Sequence, residues 1–276
     1  MKQMSIREVQ MVSLDILKDV HEFCVNNNIQ YSLAYGTLLG AIRHNGFIPW
    51  DDDIDIMMPR PDYDKFLRTF HSQRGYKLFS HETENCKSMF RYISRVCEMN
   101  KTNVDGTIAP WTLEKTGVFI DILPIDGAPS TREDAIRYLH KRNELLKVSY
   151  IYRGRFVPFS IIFKQEKGQM FRSLIKKIMG QFISNRIIDR MIAHIRSYDY
   201  DSSIFVCANT TYGLGEWMPK EFVEGFELHK FEDSEFFIFS SYDSILRSYY
   251  GNYMEIPPVE KRIVHKLNEY KWLDNA

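Results

Sequence analysis

Apolar positions near the start of the chain fall three and four apart. Val9, Val12, Ile16, Val20 and Phe23 form one stripe behind the capping box Ser5-x-x-Glu8. This pattern predicts an amphipathic helix, ended by Asn26-Asn27-Asn28. The period then changes. Residues 31–35 read as a strand, Gly36-Thr37 as a turn leading into the apolar stretch Leu38-Leu39-Gly40-Ala41-Ile42, and Asp53-Ile54-Asp55-Ile56 as a strand of period two. Pro59 and Pro61 interrupt the chain before a short helix at 62–70. Strands are expected at 76–80 and 90–96, the second with Arg91, Ile93 and Arg95 on one face. A third apolar run, 118–124, is broken by the single charge of Asp121. Ser130-x-x-Glu133 predicts a helix to about residue 150. Strand-like runs follow at 204–208 and 226–239, the latter broken at Asp233-Ser234. A helix at 242–250 closes on Gly251, and a last helix is expected after Pro257-Pro258.

Alternation puts Asp53 and Asp55 on one face of a strand, with Ile54 and Ile56 in the core. Two neighbouring carboxylates repel, so one must gain a proton or the pair must hold a cation. A divalent ion with oxygen ligands, Mg²⁺ or alternatively Mn²⁺, suits such a pair, usually with phosphate oxygens completing its shell. Gly36-Thr37 supplies a complement, because glycine lets backbone approach a ligand and a following helix start points N–H groups at an anion. Phosphate cradle and metal pair together suggest phosphoryl transfer. Asp121, a charge in an apolar run, needs a partner: as a third metal ligand or general base, or as a structural carboxylate paired with an arginine such as Arg95. Arg43, between cradle and metal strand, is a candidate phosphate contact through its planar fork. Asp51 and Asp52 are expected to cap the turn or support the site from behind.

The stretch G-T-L-L-G-A-x-R-x-x-G-x-I-P-W-D-D-D-I-D-I, at residues 36–56, resembles the signature of the LicD family of phosphocholine transferases, within the nucleotidyltransferase-fold superfamily. Gly36-Thr37 stands at the first motif of that superfamily, with Thr where many members have Ser. Asp53-Ile54-Asp55-Ile56 stands at the second and Ile120-Asp121-Ile122 at the third. The ending from Tyr249 to Pro258, with Arg262 and His265 beyond it, is similar to the family's ending. The resemblance implies a mixed α/β (α+β) nucleotidyltransferase-type core, with a sheet flanked by helices and a helical and β-hairpin extension. It further implies metal-dependent transfer from a CDP-alcohol, CDP-choline first, to a hydroxyl of a glycan precursor of teichoic acid or lipopolysaccharide type, with release of CMP. The metal would sit on Asp53, Asp55 and Asp121. Gly36, Thr37, Arg43, Arg95, Trp50, Tyr250, Tyr253 and His265 are the candidate substrate contacts; Trp111 and Trp217 are further aromatic candidates for a choline cage, which works by cation–π attraction. Two alternatives stay open: a nucleotidyltransferase moving CMP or AMP with release of pyrophosphate, and an inactive binding or scaffold protein on the same fold.

Composition narrows the partners. Lys+Arg and Asp+Glu are both 36 in 276 residues, so no broad basic excess speaks for a nucleic-acid partner. The N-terminal MKQMSIREVQ lacks the apolar core of a signal peptide, no apolar run approaches the length that spans a membrane, and Cys24, Cys86, Cys97 and Cys207 form no CxxC pair. A cytoplasmic protein with reduced thiols is expected. Charge is uneven, however. Residues 152–196 hold ten Lys/Arg against two acids, an excess of eight, and Phe171, Leu174, Ile175, Ile178, Met179, Phe182 and Ile183 recur there at helical spacing. This stripe either packs on the catalytic core or rests, peripherally, on the inner face of a membrane. The composition shift suggests a boundary near 150, dividing a catalytic core, 1–150, from an extension, 151–276, that completes the donor and acceptor site.

Overall fold

The computed structural model describes residues 2–83, 89, 91–105, 112, 114–210, 212–262 and 269–274. A short strand β1 (Lys2–Gln3) leads into helix α1 (Ile6–Asn26). The predicted capping box is formed: Glu8 N–H donates to Ser5 Oγ, and Ser5 N–H to the Glu8 carboxylate at 2.8 Å. Val9, Ile16, Val20 and Phe23 are buried. Strand β2 (Ser32–Leu33), helix α2 (Tyr35–His44), strand β3 (Asp55–Pro59) and helix α3 (Arg60–Thr69) follow. Pro61 does not break α3 but sits in its first turn, where its missing N–H costs nothing. Strands β4 (Lys77–Phe79), β5 (Ser94–Cys97) and β6 (Thr102–Asp105) precede the long β7 (Phe119–Ala128).

β7 organises the main sheet, whose order is β2-β3-β7-β5-β4. Only the β3–β7 pair is parallel; β2 on β3, β5 on β7 and β4 on β5 are antiparallel. All of β7 but Asp121 is buried, the mark of a strand covered on both faces; α1 and α3 pack against it. Its last residues, Asp126–Ala128, leave β5 and pair with β8 (Phe205–Cys207), which pairs in turn with β9 (Trp217–Pro219). Strands from the later part of the chain thus extend the sheet begun by the first.

Between β7 and β8 lie α4 (Arg132–Gly154), α5 (Phe159–Ile162), α6 (Lys167–Met179) and α7 (Ile187–Ile195). The cap of α4 is one residue later than the capping box predicts: Thr131 Oγ1 accepts from Asp134 N–H. Residue 150 falls within α4. The hairpin β10 (Phe226–Phe231) with β11 (Ser234–Phe239) turns at the expected place, with Glu232 at φ 60°. Its tip docks on the corner after α2, where Glu232 accepts from Phe47 N–H at 3.1 Å and pairs with Arg7 at 2.6 Å. Helix α8 (Tyr242–Tyr250) matches its predicted bounds. Of the segment expected as a last helix, the described residues form a 3₁₀ turn, Val259–Lys261, and strand β12 (Glu269–Trp272). β12 joins β1 and β6 in a small antiparallel sheet that brings the chain's two ends together.

Asp126 has a structural role. Fully buried, it accepts from Arg60 Nε at 2.6 Å and from Nη2 at 2.7 Å, coupling α3 to the end of β7. Removing one partner of a buried pair leaves a desolvated charge. Asp126→Ala should therefore destabilise the fold by roughly 3 kcal/mol in urea denaturation, at the lower end of such effects, because Glu82 still lies 3.2 Å from Arg60.

Candidate active site

The β3–β7 register sets Asp55 directly beside Asp121, and the β5–β7 register sets Arg95 on the other side of Asp121. Three strands therefore present carboxylate, carboxylate and guanidinium in one row. Ile54 and Ile56 are fully buried, as the alternation requires. β3 begins only at Asp55, and Asp53 approaches from the preceding loop. Thr37 is buried, and its hydroxyl accepts from Asp55 N–H at 2.9 Å, fixing the start of β3 against α2. Gly36 lets the Asp51 carboxylate lie against the backbone: a Cβ there would meet Asp51 Oδ2 at 2.5 Å and displace it. Tyr35 carries the bend between β2 and α2, at φ 45°, a left-handed conformation uncommon for a residue other than glycine.

These groups open into a cleft of about 590 Å³. Asp51, Asp53, Asp55 and Asp121 line it together with Arg91, Arg153, Tyr35, Tyr212, Tyr250 and Trp50. The tyrosines are stacked: Tyr35 on Tyr212 at 5.0 Å, and Tyr212 on Tyr249 at 5.0 Å, with the Tyr212 and Tyr250 hydroxyls 2.9 Å apart. Arg262 lies over the Trp50 ring at 4.2 Å. Burial and the neighbouring Arg91 push the Arg153 guanidinium down to about 9, still charged at neutral pH, and Arg91 Nη1 lies 3.8 Å from Asp121 Oδ2, so cations stand beside the acids of the cleft.

Other predicted residues take different places. Arg43 lines the cleft, but its Nη1 donates to the carbonyls of Tyr253 and Glu255 at 2.7 and 3.2 Å, tying α2 to the turn after α8. Arg95 forms the bidentate pair with Asp121, one bond at 2.9 Å, and covers the Phe119 ring at 3.7 Å. It is the partner foreseen in the structural reading of Asp121, and Arg91 rather than Arg95 lines the cleft. Tyr253 borders the cleft while its hydroxyl donates to Asp243 at 2.7 Å. Trp217 packs on Phe205 at 4.3 Å and donates to Pro129 O, outside the cleft. His265, Trp111 and Cys86 lie outside the described residues; Cys24, Cys97 and Cys207 are buried free thiols. Sequence reasoning missed Arg153, Tyr35 and Tyr212 and set Asp51 behind the site rather than in its lining. The aspartate was one more acid in an acidic run, and Tyr212 sits in a loop without periodicity.

Burial, then repulsion from Asp53, Asp121 and Asp51, holds the Asp55 carboxyl well above the usual carboxylate range. That excess of negative charge is the condition a divalent cation relieves. Among the described residues, no group of three or more His, Cys, Asp or Glu side chains is arranged as a complete metal cage. Both Asp121 oxygens already accept from Arg95. Two carboxylates with room beside them for phosphate oxygens fit the incomplete protein shell usual for Mg²⁺.

A mixed sheet with adjacent carboxylates on parallel central strands, opening into a cleft lined by arginines and tyrosines, suits phosphoryl transfer. Residues 28–163 match the family model described as LicD/FKTN/FKRP, nucleotidyltransferase domain. The lipopolysaccharide cholinephosphotransferase LicD of Haemophilus influenzae is 31% identical over 277 residues, covering 98% of each chain. Shorter matches reach uncharacterised proteins of Rickettsia typhi, 43% identical over 81 residues (28% of this chain, 26% of that one), and Rickettsia prowazekii, 53% over 47 residues (17% and 18%). The chain belongs to the LicD family and is a LicD-like phosphotransferase.

The raised Asp55 carboxyl has a consequence for stability. The unfolded chain ionises Asp55 at about 4, whereas the folded, metal-free protein keeps the proton to higher pH, so stability falls as pH rises between those two values. Asp55→Asn removes this penalty. We expect it to raise the Tm of the metal-free protein at neutral pH by about 2–4 °C, the effect of about 1 kcal/mol in a domain of this size. The gain should vanish as pH falls to about 4. Differential scanning calorimetry across pH, with chelator present, checks both.

Proposed function

We propose that this chain transfers phosphocholine from CDP-choline to a hydroxyl of a glycan precursor of the lipopolysaccharide or teichoic acid type, releasing CMP. The observation that carries the reading is the joining, in one cleft, of four aspartates, Arg91 and Arg153, and the stacked tyrosines, on a chain similar over 98% of its length to a lipopolysaccharide cholinephosphotransferase. A CDP-alcohol has a matching anatomy: a diphosphate in the middle and, in CDP-choline, a quaternary ammonium at one end.

Asp53 and Asp55, with Asp121 beside them, would hold Mg²⁺, with Mn²⁺ as the alternative; when bound, such an ion neutralises charge on the diphosphate oxygens. Arg91 and Arg153 give charge-assisted hydrogen bonds to the same phosphates. The ammonium head lies against the Tyr212 and Tyr250 faces, where cation–π attraction selects it over an uncharged alcohol. Asp121, held in one orientation by Arg95, accepts the proton of the acceptor hydroxyl as that oxygen bonds to the phosphorus next to choline. The bond from that phosphorus to the CMP oxygen breaks, and CMP leaves. Positioning and charge neutralisation account for most of the rate. The reading sets the reaction in the cytoplasm, where activated cytidine donors are available.

Incubation with CDP-choline, Mg²⁺ and a panel of glycan acceptors, read by mass spectrometry, should give CMP and a glycan heavier by phosphocholine. Pyrophosphate release from CTP, without that product, would establish the nucleotidyltransferase alternative. Tyr212→Ala should raise KM for CDP-choline by about 3–30-fold, the range of a partly to fully desolvated cation–π contact, and leave KM for CDP-glycerol unchanged. An equal rise for both donors would mean that the tyrosine stack shapes the cleft without recognising choline.

A further inference from the structure

The stripe on α6 does not pack on the catalytic core. No residue of α6 is buried. Phe171, Ile178 and, in the 3₁₀ turn that follows, Phe182 expose 64%, 63% and 86% of their surface. On α5 and just beyond it, Phe159 and Phe163 are also exposed, with their rings stacked at 5.9 Å. So many exposed phenylalanines on adjoining turns exceed the scattered apolar residues of an ordinary surface. Lys164, Lys167, Arg172 and Lys176 are exposed among them along the chain, within the segment whose Lys/Arg exceed its acids by eight.

We propose that the α5–α6 face docks on anionic lipid head groups. Charge complementarity selects this occupant: a basic amphipathic helix with aromatic residues on its apolar face lies in a lipid interface, where its lysines meet anionic head groups and its rings enter the acyl boundary. A second copy of the chain would bring the same positive excess against itself. No helix among the described residues is long and apolar enough to cross a membrane, so the contact is peripheral. The face is rigidly connected to the active site. Lys177 donates to the carbonyls of Arg155 and Val157 at 3.0 and 2.8 Å. Gly154 lets α6 approach so closely that a Cβ there would meet Lys176 Cβ at 2.7 Å. One residue earlier, Arg153 lines the cleft. Docking would hold that part of the cleft near the lipid surface, in reach of an acceptor anchored there.

Vesicle sedimentation of the full chain tests this without donor or acceptor, so its failure would leave the transferase reading untouched. Binding is expected to phosphatidylglycerol–phosphatidylcholine vesicles and not to phosphatidylcholine alone, and added salt should weaken it. Replacing Lys164, Lys167 and Arg172 by Gln should reduce partitioning by about 100-fold, from about fivefold per charge near the surface. Phe163→Ser with Phe171→Ser and Phe182→Ser should abolish it. All six side chains are exposed, so Tm should not change in either variant. Absence of binding to both vesicle types, equal binding to both, or a concentration-dependent dimer abolished by the serine substitutions would overturn the proposal.

Discussion

Repulsion between carboxylates on neighbouring strands is the constraint around which this structure is built. Parallel pairing of β3 with β7 sets Asp55 against Asp121 at the centre of the sheet, where burial makes their charge costly. The protein answers it unevenly. Arg95, in register from β5 and held over Phe119, pairs with both oxygens of Asp121, and Arg91 lies 3.8 Å from it, while the buried Asp55 carboxyl feels repulsion from Asp53, Asp121 and Asp51. The asymmetry gives the two aspartates different parts: one fixed in orientation by its guanidinium, the other carrying the charge that draws a cation.

The second half of the chain completes the cleft by attaching to the same strand. β8 takes over β7 where β5 leaves it, and the segment between β8 and β9 carries Thr210, Tyr212 and Glu216. Glu216 is fully buried, accepts from the Tyr35 hydroxyl at 2.8 Å, and lies 3.7 Å from Arg142 of α4. Tyr35 is therefore anchored at its hydroxyl by residues from the far end of the chain while its backbone holds the left-handed turn that starts α2. Composition marked a change near residue 150, but the contacts that shape the site run across it.

What the sequence revealed follows from the range of the interactions involved. The capping box of α1, the period-two pattern of β3, the break in the hairpin and the bounds of α8 are local, and each is legible in the residues that make it. Asp53, Asp55 and Asp121 were legible because a charge in an alternating or apolar run has few structural uses. The bonds of Thr37 and Arg43 depend on register and on distant partners, so the backbone N–H that the hydroxyl holds and the turn that the arginine ties were not legible locally. Arg153 sits at the end of α4, where no periodicity marks a cleft residue. β12 was not foreseen as a strand because its reason to be one, pairing with β1 and β6, lies far away in sequence. The exposed stripe on α6 shows the limit of periodicity itself: helical spacing gives the face but not what covers it.

The central claim is that the charge left on Asp53 and Asp55 forms a divalent-cation site. Titration of the protein with Mn²⁺, followed by the loss of the free-ion electron paramagnetic resonance signal, measures this directly. The account predicts binding in the wild-type chain, competed by Mg²⁺ and tightened by CDP-choline. In Asp53→Ala and Asp55→Ala the affinity should fall by more than the about 10–100-fold that changes to outer contacts cost. Wild-type affinity for Mn²⁺ in both variants would contradict it.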